Sequence, residues 1–361
     1  MPHLELASVS KAFKANKVLD DISLTANAGE IVVIFGPSGT GKTVLLRLIA
    51  GVEEPTSGTI SIDSQDMADV APEHRDVGMA FQNFALFPHM NAFENIASPL
   101  RARSQSEAQV KEGVSRVARL LKIDHVLGHA PRQLSNGQKQ RTALARALAS
   151  SPKLLLLDDP LRNVDAKLRF EMRLELPRLL RQAKSTVLYV TQDYKEAMAL
   201  ADRIAVLAQG KFVQVATPED IYRNPATVGV ARLFGDPTIN LADTVVGADG
   251  AIDLAGEKVA IDKSYGPLAG KTVTFGVRPE AVEVMGGRGA GLKAKVMAVT
   301  PLNERTVLLL QASSGAELLA SLPSSSNSIP RAGNEVRIAF NPVGTHLFDR
   351  ETGATLAKGR S

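Results

Sequence analysis

Residues 31–43 read Ile31-Val32-Val33-Ile34-Phe35-Gly36-Pro37-Ser38-Gly39-Thr40-Gly41-Lys42-Thr43. The first five are apolar and mostly β-branched, which predicts a short strand buried on both faces. The next eight fit the pattern G-x-x-x-x-G-K-[ST] at every position, and Val44–Ala50 continues as a helix. A strand, a glycine-rich turn and a helix in that order make a phosphate cradle. Glycines let successive backbone N–H groups converge on β- and γ-phosphates at the positive end of the helix. Lys42 would neutralise phosphate charge, and the Thr43 hydroxyl would coordinate Mg²⁺.

Working outward, Leu154–Leu157 is another fully apolar run. It delivers Asp158, a carboxylate suited to holding Mg²⁺ through water beside such a cradle. Thr186–Val190 is a third such strand. Strands alternating with helices imply a mostly parallel sheet covered on both faces, an α/β fold of the P-loop nucleotide-hydrolase kind. Glu107–Ile123 has apolar residues at helical spacing and predicts a helical insertion, a subdomain over about 88–150. Around Gly235–Asn240 helical periodicity nearly vanishes. Short alternating strands replace it at Thr272–Val277, Lys293–Val299, Thr306–Leu310 and Val336–Phe340, separated by Gly, Pro and Ser. The expected organisation is therefore residues 1–235 as a nucleotide-binding domain and 236–361 as a small all-β, barrel-like domain.

Composition limits the alternatives. At 361 residues the chain suits two domains. Hydrophobic residues at 44% and charged residues at 22% are ordinary for a globular protein. A net charge of +4 is too slight to argue for nucleic acid. The sequence opens without a signal-peptide pattern, and no apolar run approaches the ~18 residues that span a bilayer. With no cysteine, disulfides and thiolate metal sites are excluded.

Three further segments resemble the ATPase family of ABC transporters. Leu134-Ser135-Asn136-Gly137-Gln138 is similar to the family signature LSGGQ. Phe81-Gln82-Asn83-Phe84-Ala85-Leu86-Phe87-Pro88-His89 resembles the Q-loop region of its sugar-importer branch, and Asn163-Val164-Asp165-Ala166-Lys167-Leu168-Arg169 its D-loop. Phe275-Gly276-Val277-Arg278-Pro279-Glu280 resembles a motif of that branch's C-terminal regulatory domain, built from OB-like barrels of TOBE type. The resemblance implies ATP with Mg²⁺, sandwiched between two such domains packed head to tail. The cradle of one would meet Ser135, Gly137 and Gln138 of the other. Phe13 would stack on adenine, or else serve as a core aromatic of an N-terminal β-ribbon. Gln82 would bind Mg²⁺ or the attacking water. The implied partners are membrane-spanning permease subunits docked near Gln82–Met90, a second ATPase subunit (identical or different) and, indirectly, a solute-binding protein. The implied place is peripheral, on the cytoplasmic face of the inner (plasma) membrane. The long coiled-coil insertions and tandem cassettes of relatives acting on nucleic acid are missing, so no nucleic-acid partner is expected. A non-catalytic, ATP-binding regulatory subunit is the alternative.

The sequence departs from the family at three places near the hydrolytic chemistry. Asp159 stands where the family has a glutamate, which draws the catalytic carboxylate back by roughly 1.5 Å. Gln192 stands where the switch histidine is expected, and an amide can donate a hydrogen bond but cannot titrate. Asn136 replaces the first glycine of the signature. The expected catalytic groups are Asp159, Gln192 and Gln82, the metal ligands Thr43, Gln82 and Asp158. Two outcomes stay open: a slow site lending its signature to a different partner, or a homodimer in which Asp159 and Gln192 still work.

Overall fold

Val32 and Ile34 on one strand, Leu154 and Leu156 on another, and Leu188 and Val190 on a third form the centre of the largest apolar core. In this computed structural model the described residues are 3–249, 251–254, 257–260, 268–286, 291–326 and 328–358. The chain divides into two compact units, Met1–Pro218 and Glu219–Ser361.

The first unit runs β1 (Leu4–Phe13), β2 (Asn16–Ala26), β3 (Ile31–Phe35), α1 (Lys42–Ala50), β4 (Ser57–Ile62), β5 (Gln65–Asp66) and β6 (Val77–Ala80). It continues α2 (Ala92–Ala102), α3 (Glu107–Leu120), α4 (Asn136–Ala149), β7 (Leu154–Asp158), α5 (Ala166–Ala183), β8 (Thr186–Thr191), α6 (Tyr194–Leu200), β9 (Arg203–Ala208) and β10 (Lys211–Ala216). One sheet has the order β10-β9-β3-β8-β7-β6, parallel except for β10; a second, antiparallel sheet has the order β2-β1-β4-β5. β3 and β7 are buried along their whole length, as their unbroken apolar runs predict.

Parallel register brings the functional segments to one edge. Phe35 pairs with Thr191, Asp158 with Val190, and Ala80 with Leu157. The turns after β3, β6, β7 and β8 therefore leave the sheet side by side at its carboxyl edge, where open α/β sheets bind ligands.

The helical insertion comprises α2, α3 and α4. Each starts with a capping box, Asn91 with Glu94, Ser106 with Gln109, and Ser135 with Gln138, which satisfies otherwise orphan N–H groups. The helix expected over Glu107–Ile123 ends at Leu120. There Leu121 and Lys122 turn the chain, with the Lys122 N–H donating to the Arg119 carbonyl.

The second unit holds α7 (Pro218–Arg223), α8 (Val228–Leu233), β11 (Asn240–Val245), β12 (Ala251–Leu254), β13 (Glu257–Ala260), β14 (Thr272–Val277), β15 (Val282–Gly286) and β16 (Leu292–Pro301). It ends with β17 (Arg305–Ala312), β18 (Glu317–Pro323), β19 (Glu335–Phe340), β20 (Thr345–Asp349) and β21 (Thr355–Lys358). Two antiparallel sheets, β11-β14-β20-β21 and β15-β19-β16-β17-β18, enclose a core that includes Phe275, Val296, Leu308 and Ile338. β17 alternates partly exposed and buried residues, the period of a half-buried strand.

The break between units lies ahead of the change in sequence texture at 235. Arg278 is the physical reason: its guanidinium donates to the carbonyls of Tyr222 and Ala231, both at 2.9 Å, and to that of Phe234. α7 and α8 are thereby held against the β framework, although their sequence reads as helix.

Candidate active site

The cradle follows from its backbone angles. Gly39 (φ 83°) and Gly41 (φ 96°) lie in the left-handed region that favours glycine. At Gly36 the demand is steric, since a Cβ there would lie 2.3 Å from the Leu207 carbonyl oxygen. Lys42 folds back over the loop, its Nζ donating to the carbonyls of Gly36 (2.7 Å) and Pro37 (2.6 Å). Burial lowers the pKa of this ammonium, opposed by the charges of Asp159 and Asp158. Thr40 Oγ1 closes the turn on the Pro37 carbonyl at 3.0 Å.

Thr43 Oγ1 donates to Asp158 Oδ1 at 3.0 Å, joining the helix start to the end of β7. Burial raises the pKa of Asp158, and the Thr43 hydrogen bond opposes this. A hydroxyl and a buried carboxylate together suit Mg²⁺, which takes few protein oxygens and completes its shell with phosphate and water. The geometry thus fits the metal expected at Thr43 and Asp158. Gln82 lines the same cavity, and its carbonyl accepts from Asn163 Nδ2 at 3.0 Å.

Asp159 has φ 43° and its N–H donates to the Val190 carbonyl at 2.9 Å, which turns its side chain away from the strand direction. Burial pushes its carboxyl up to about 6; Arg162, Lys42 and Arg169 oppose that and Asp158 adds to it. Gln192 Oε1 accepts from Ser38 Oγ at 2.6 Å, so the residue in the switch position is tied to the cradle and its amide N–H₂ stays available to donate. A cavity of about 250 Å³ brings together Ser38, Gly39, Gly41, Lys42, Thr43, Gln82, Asp158, Asp159 and Gln192.

Other expected residues lie outside this cavity lining. Ser135 caps α4, accepting from the Gln138 N–H at 3.3 Å, while Gln138 Oε1 accepts from the Ser135 N–H at 3.0 Å. Gly137 packs under Leu168, where a Cβ would meet Leu168 Cδ2 at 2.3 Å. Phe13 is 43% exposed at the end of β1, with Lys11 Nζ 4.9 Å from its ring centroid. That exposure removes the alternative of a core aromatic.

Two groups carry no sequence-based expectation. Arg162 lines the cavity and stands 3.8 Å from Asp159 Oδ2; its position three residues beyond Asp159 is the signal that could have found it. Glu196 is buried at the start of α6, and its Oε2 accepts from Tyr189 OH (2.8 Å) and Thr191 Oγ1 (2.9 Å). A polar residue inside a helical pattern gives no hint of that burial. Beyond Gln82, Arg146 donates to the carbonyls of Ala85 (2.8 Å) and Phe84 (3.2 Å), while Phe81 and Phe87 remain exposed. The Q-loop segment therefore carries aromatic surface braced from α4.

The family profile described as ABC transporter matches residues 19–162, and that described as TOBE domain matches residues 275–348. Among similar curated proteins is the sn-glycerol-3-phosphate import ATP-binding protein UgpC of Cereibacter sphaeroides, 40% identical over 99% of this chain and 100% of that protein. The proteins of the same name from Yersinia pseudotuberculosis (38%) and Salmonella typhimurium (39%) match over 98% of this chain and 99% of theirs. Similarity along both units, on a P-loop fold with the cradle and Asp158 at one sheet edge, places the chain in the ABC transporter family, as an ATP-binding ATPase subunit.

Proposed function

We propose that this subunit binds MgATP in the cradle of Gly36–Thr43 and hydrolyses it to drive import of a small polar solute. The observation that carries this reading is the convergence of Lys42, Thr43, Asp158 and Asp159 on one cavity at the sheet's carboxyl edge. Lys42 binds phosphate oxygens, and Thr43 and Asp158 hold Mg²⁺, with Gln82 completing that side. Mg²⁺ there supplies charge neutralisation to the β- and γ-phosphates. Asp159 takes the proton of the attacking water; a carboxylate whose pKa is pushed to about 6 is a competent base near neutrality. Gln192, its oxygen taken by Ser38, turns its amide N–H₂ to the γ-phosphate.

Ser135, Gly137 and Gln138 stand at a helix N-terminus, a ready anion site. In a head-to-tail pair they close the site on the γ-phosphate held by the other subunit, and Phe13 stacks on adenine. The exposed Phe81 and Phe87 beside Gln82 receive the permease, which puts the subunit on the cytoplasmic membrane face. The relatives' names support sn-glycerol 3-phosphate, or a related polyol or sugar, as the solute.

ATP turnover by the chain with its permease tests the reading. The expected rate is on the order of 1–10 per second, abolished by Lys42→Ala and by Asp158→Asn. The short Asp159 side chain favours a second reading, a slow site paired with a different ATPase subunit. A rise of about 100-fold on combining Asp159→Glu with Gln192→His would establish that second reading; a change within threefold would exclude it.

A further inference from the structure

Arg162 has no part in the roles above, yet its surroundings suit it to one. Its backbone is fixed on both sides: the N–H donates to the Asp159 carbonyl at 3.3 Å, and its own carbonyl accepts from Arg169 Nη2 at 3.2 Å. The side chain is 46% exposed and lines the cavity beside Lys42, Ser38 and Gln192. Its Nη1 stands 3.8 Å from Asp159 Oδ2, beyond hydrogen-bond range, so that carboxylate leaves the guanidinium donors uncommitted. The charge of Arg162 also acts to lower the pKa of Lys42, the neighbouring cation of the same cavity.

A planar cation with five donors matches phosphate oxygens in pairs. During phosphoryl transfer, negative charge is spread over the three equatorial oxygens of the moving group, and an arginine aimed at them is a large source of rate. We propose that Arg162 is a further catalytic residue: its guanidinium binds the γ-phosphoryl oxygens of ATP in this chain's own cradle and supplies the positive charge that the neutral Gln192 does not. The water oxygen bonds the γ-phosphorus while the bridging P–O bond to ADP breaks. The water's proton passes to Asp159, and Arg162 exchanges none. This rests on the nucleotide placement given under the proposed function.

The test uses the full chain with its permease and three readouts: MgATP affinity, trapping of MgADP by aluminium fluoride, and kcat at pH 7 and pH 8.5. Arg162→Ala is expected to bind MgATP within threefold of the unsubstituted protein, to lose trapping, and to lose about 100-fold in kcat at both pH values. Arg162→Lys should recover less than a tenth of the lost rate, since an ammonium cannot make the paired contact. A loss at pH 7 that vanishes at pH 8.5 overturns the proposal, because Arg162 would then only keep Asp159 ionised. Trapping unchanged in Arg162→Ala overturns it as well. MgATP binding that survives Lys42→Ala overturns the cradle placement itself, and the role of Arg162 with it.

Discussion

Asp159 and Gln192 are small changes in formula with different physical consequences. Shortening the carboxylate leaves a titratable base, and the fold places it at φ 43° against Val190 with Arg162 nearby. Replacing a histidine by glutamine removes a proton carrier but keeps a donor, fixed by Ser38 at 2.6 Å. The pH profile follows from these two facts. Burial raises Asp159 to about 6, so its basic form dominates above that value and is lost below it. The kcat of the permease complex should fall about tenfold per pH unit below 6, with no second limb from a histidine at the switch position. A flat kcat between pH 5 and 7 would show that Asp159 is not the base.

Between the catalytic turn after β8 and the body of the sheet stands α6, and its register matters more than its length. Glu196 reaches back to Tyr189 and Thr191, while the Asp193 N–H donates to Thr191 Oγ1 at 3.0 Å. The segment bearing Gln192 is thus tied to a buried carboxylate. Burial, the largest cause, pushes Glu196 up to about 7; the hydrogen bonds from Tyr189 and Thr191 oppose it, while Asp193 and Asp159 add to it. The folded state binds this proton more tightly than the unfolded chain does. Its stabilisation is therefore full below the unfolded pKa of about 4.5 and is lost as pH rises through 7. The swing is on the order of 3 kcal/mol. Thermal midpoints measured from pH 5 to pH 8 should decline more steeply in the unsubstituted protein than in Glu196→Gln, whose amide keeps an acceptor oxygen. Equal slopes would remove Glu196 as the cause.

The two units depend on different kinds of interaction. The first is centred on apolar parallel strands, the second on two antiparallel sheets to which one buried arginine fastens α7 and α8. Arg278 is 2% exposed, and its guanidinium carbon lies 4.0 Å from the centroid of the Tyr222 ring. Arg278→Ala would leave the carbonyls of Tyr222, Ala231 and Phe234 without that partner, at a cost of about 3–5 kcal/mol to the second unit. Calorimetry should show one transition lowered and the other, marked by MgATP protection, unmoved. A single transition shifted as a whole would show that the units unfold together.

The sequence by itself determined the cradle, the paired carboxylates Asp158 and Asp159, the Gln192 substitution and the change from α/β to all-β texture. Each is written in contiguous residues: a glycine pattern, a hydrophobic run ending in charge, or a switch of period. The strands expected in the second unit, such as Thr272–Val277, fall where alternation put them. Tertiary structure alone decided what depends on register between distant segments. Parallel pairing of β3, β8, β7 and β6 set Ser38 against Gln192 and Thr43 against Asp158, 154 and 115 residues apart. It also turned Arg162 into the cavity, buried Glu196, and gave α7 and α8 to the second unit through Arg278. Local patterns report what a residue's neighbours in sequence require. Burial and charge pairing are fixed only once the sheet has chosen which strands lie together.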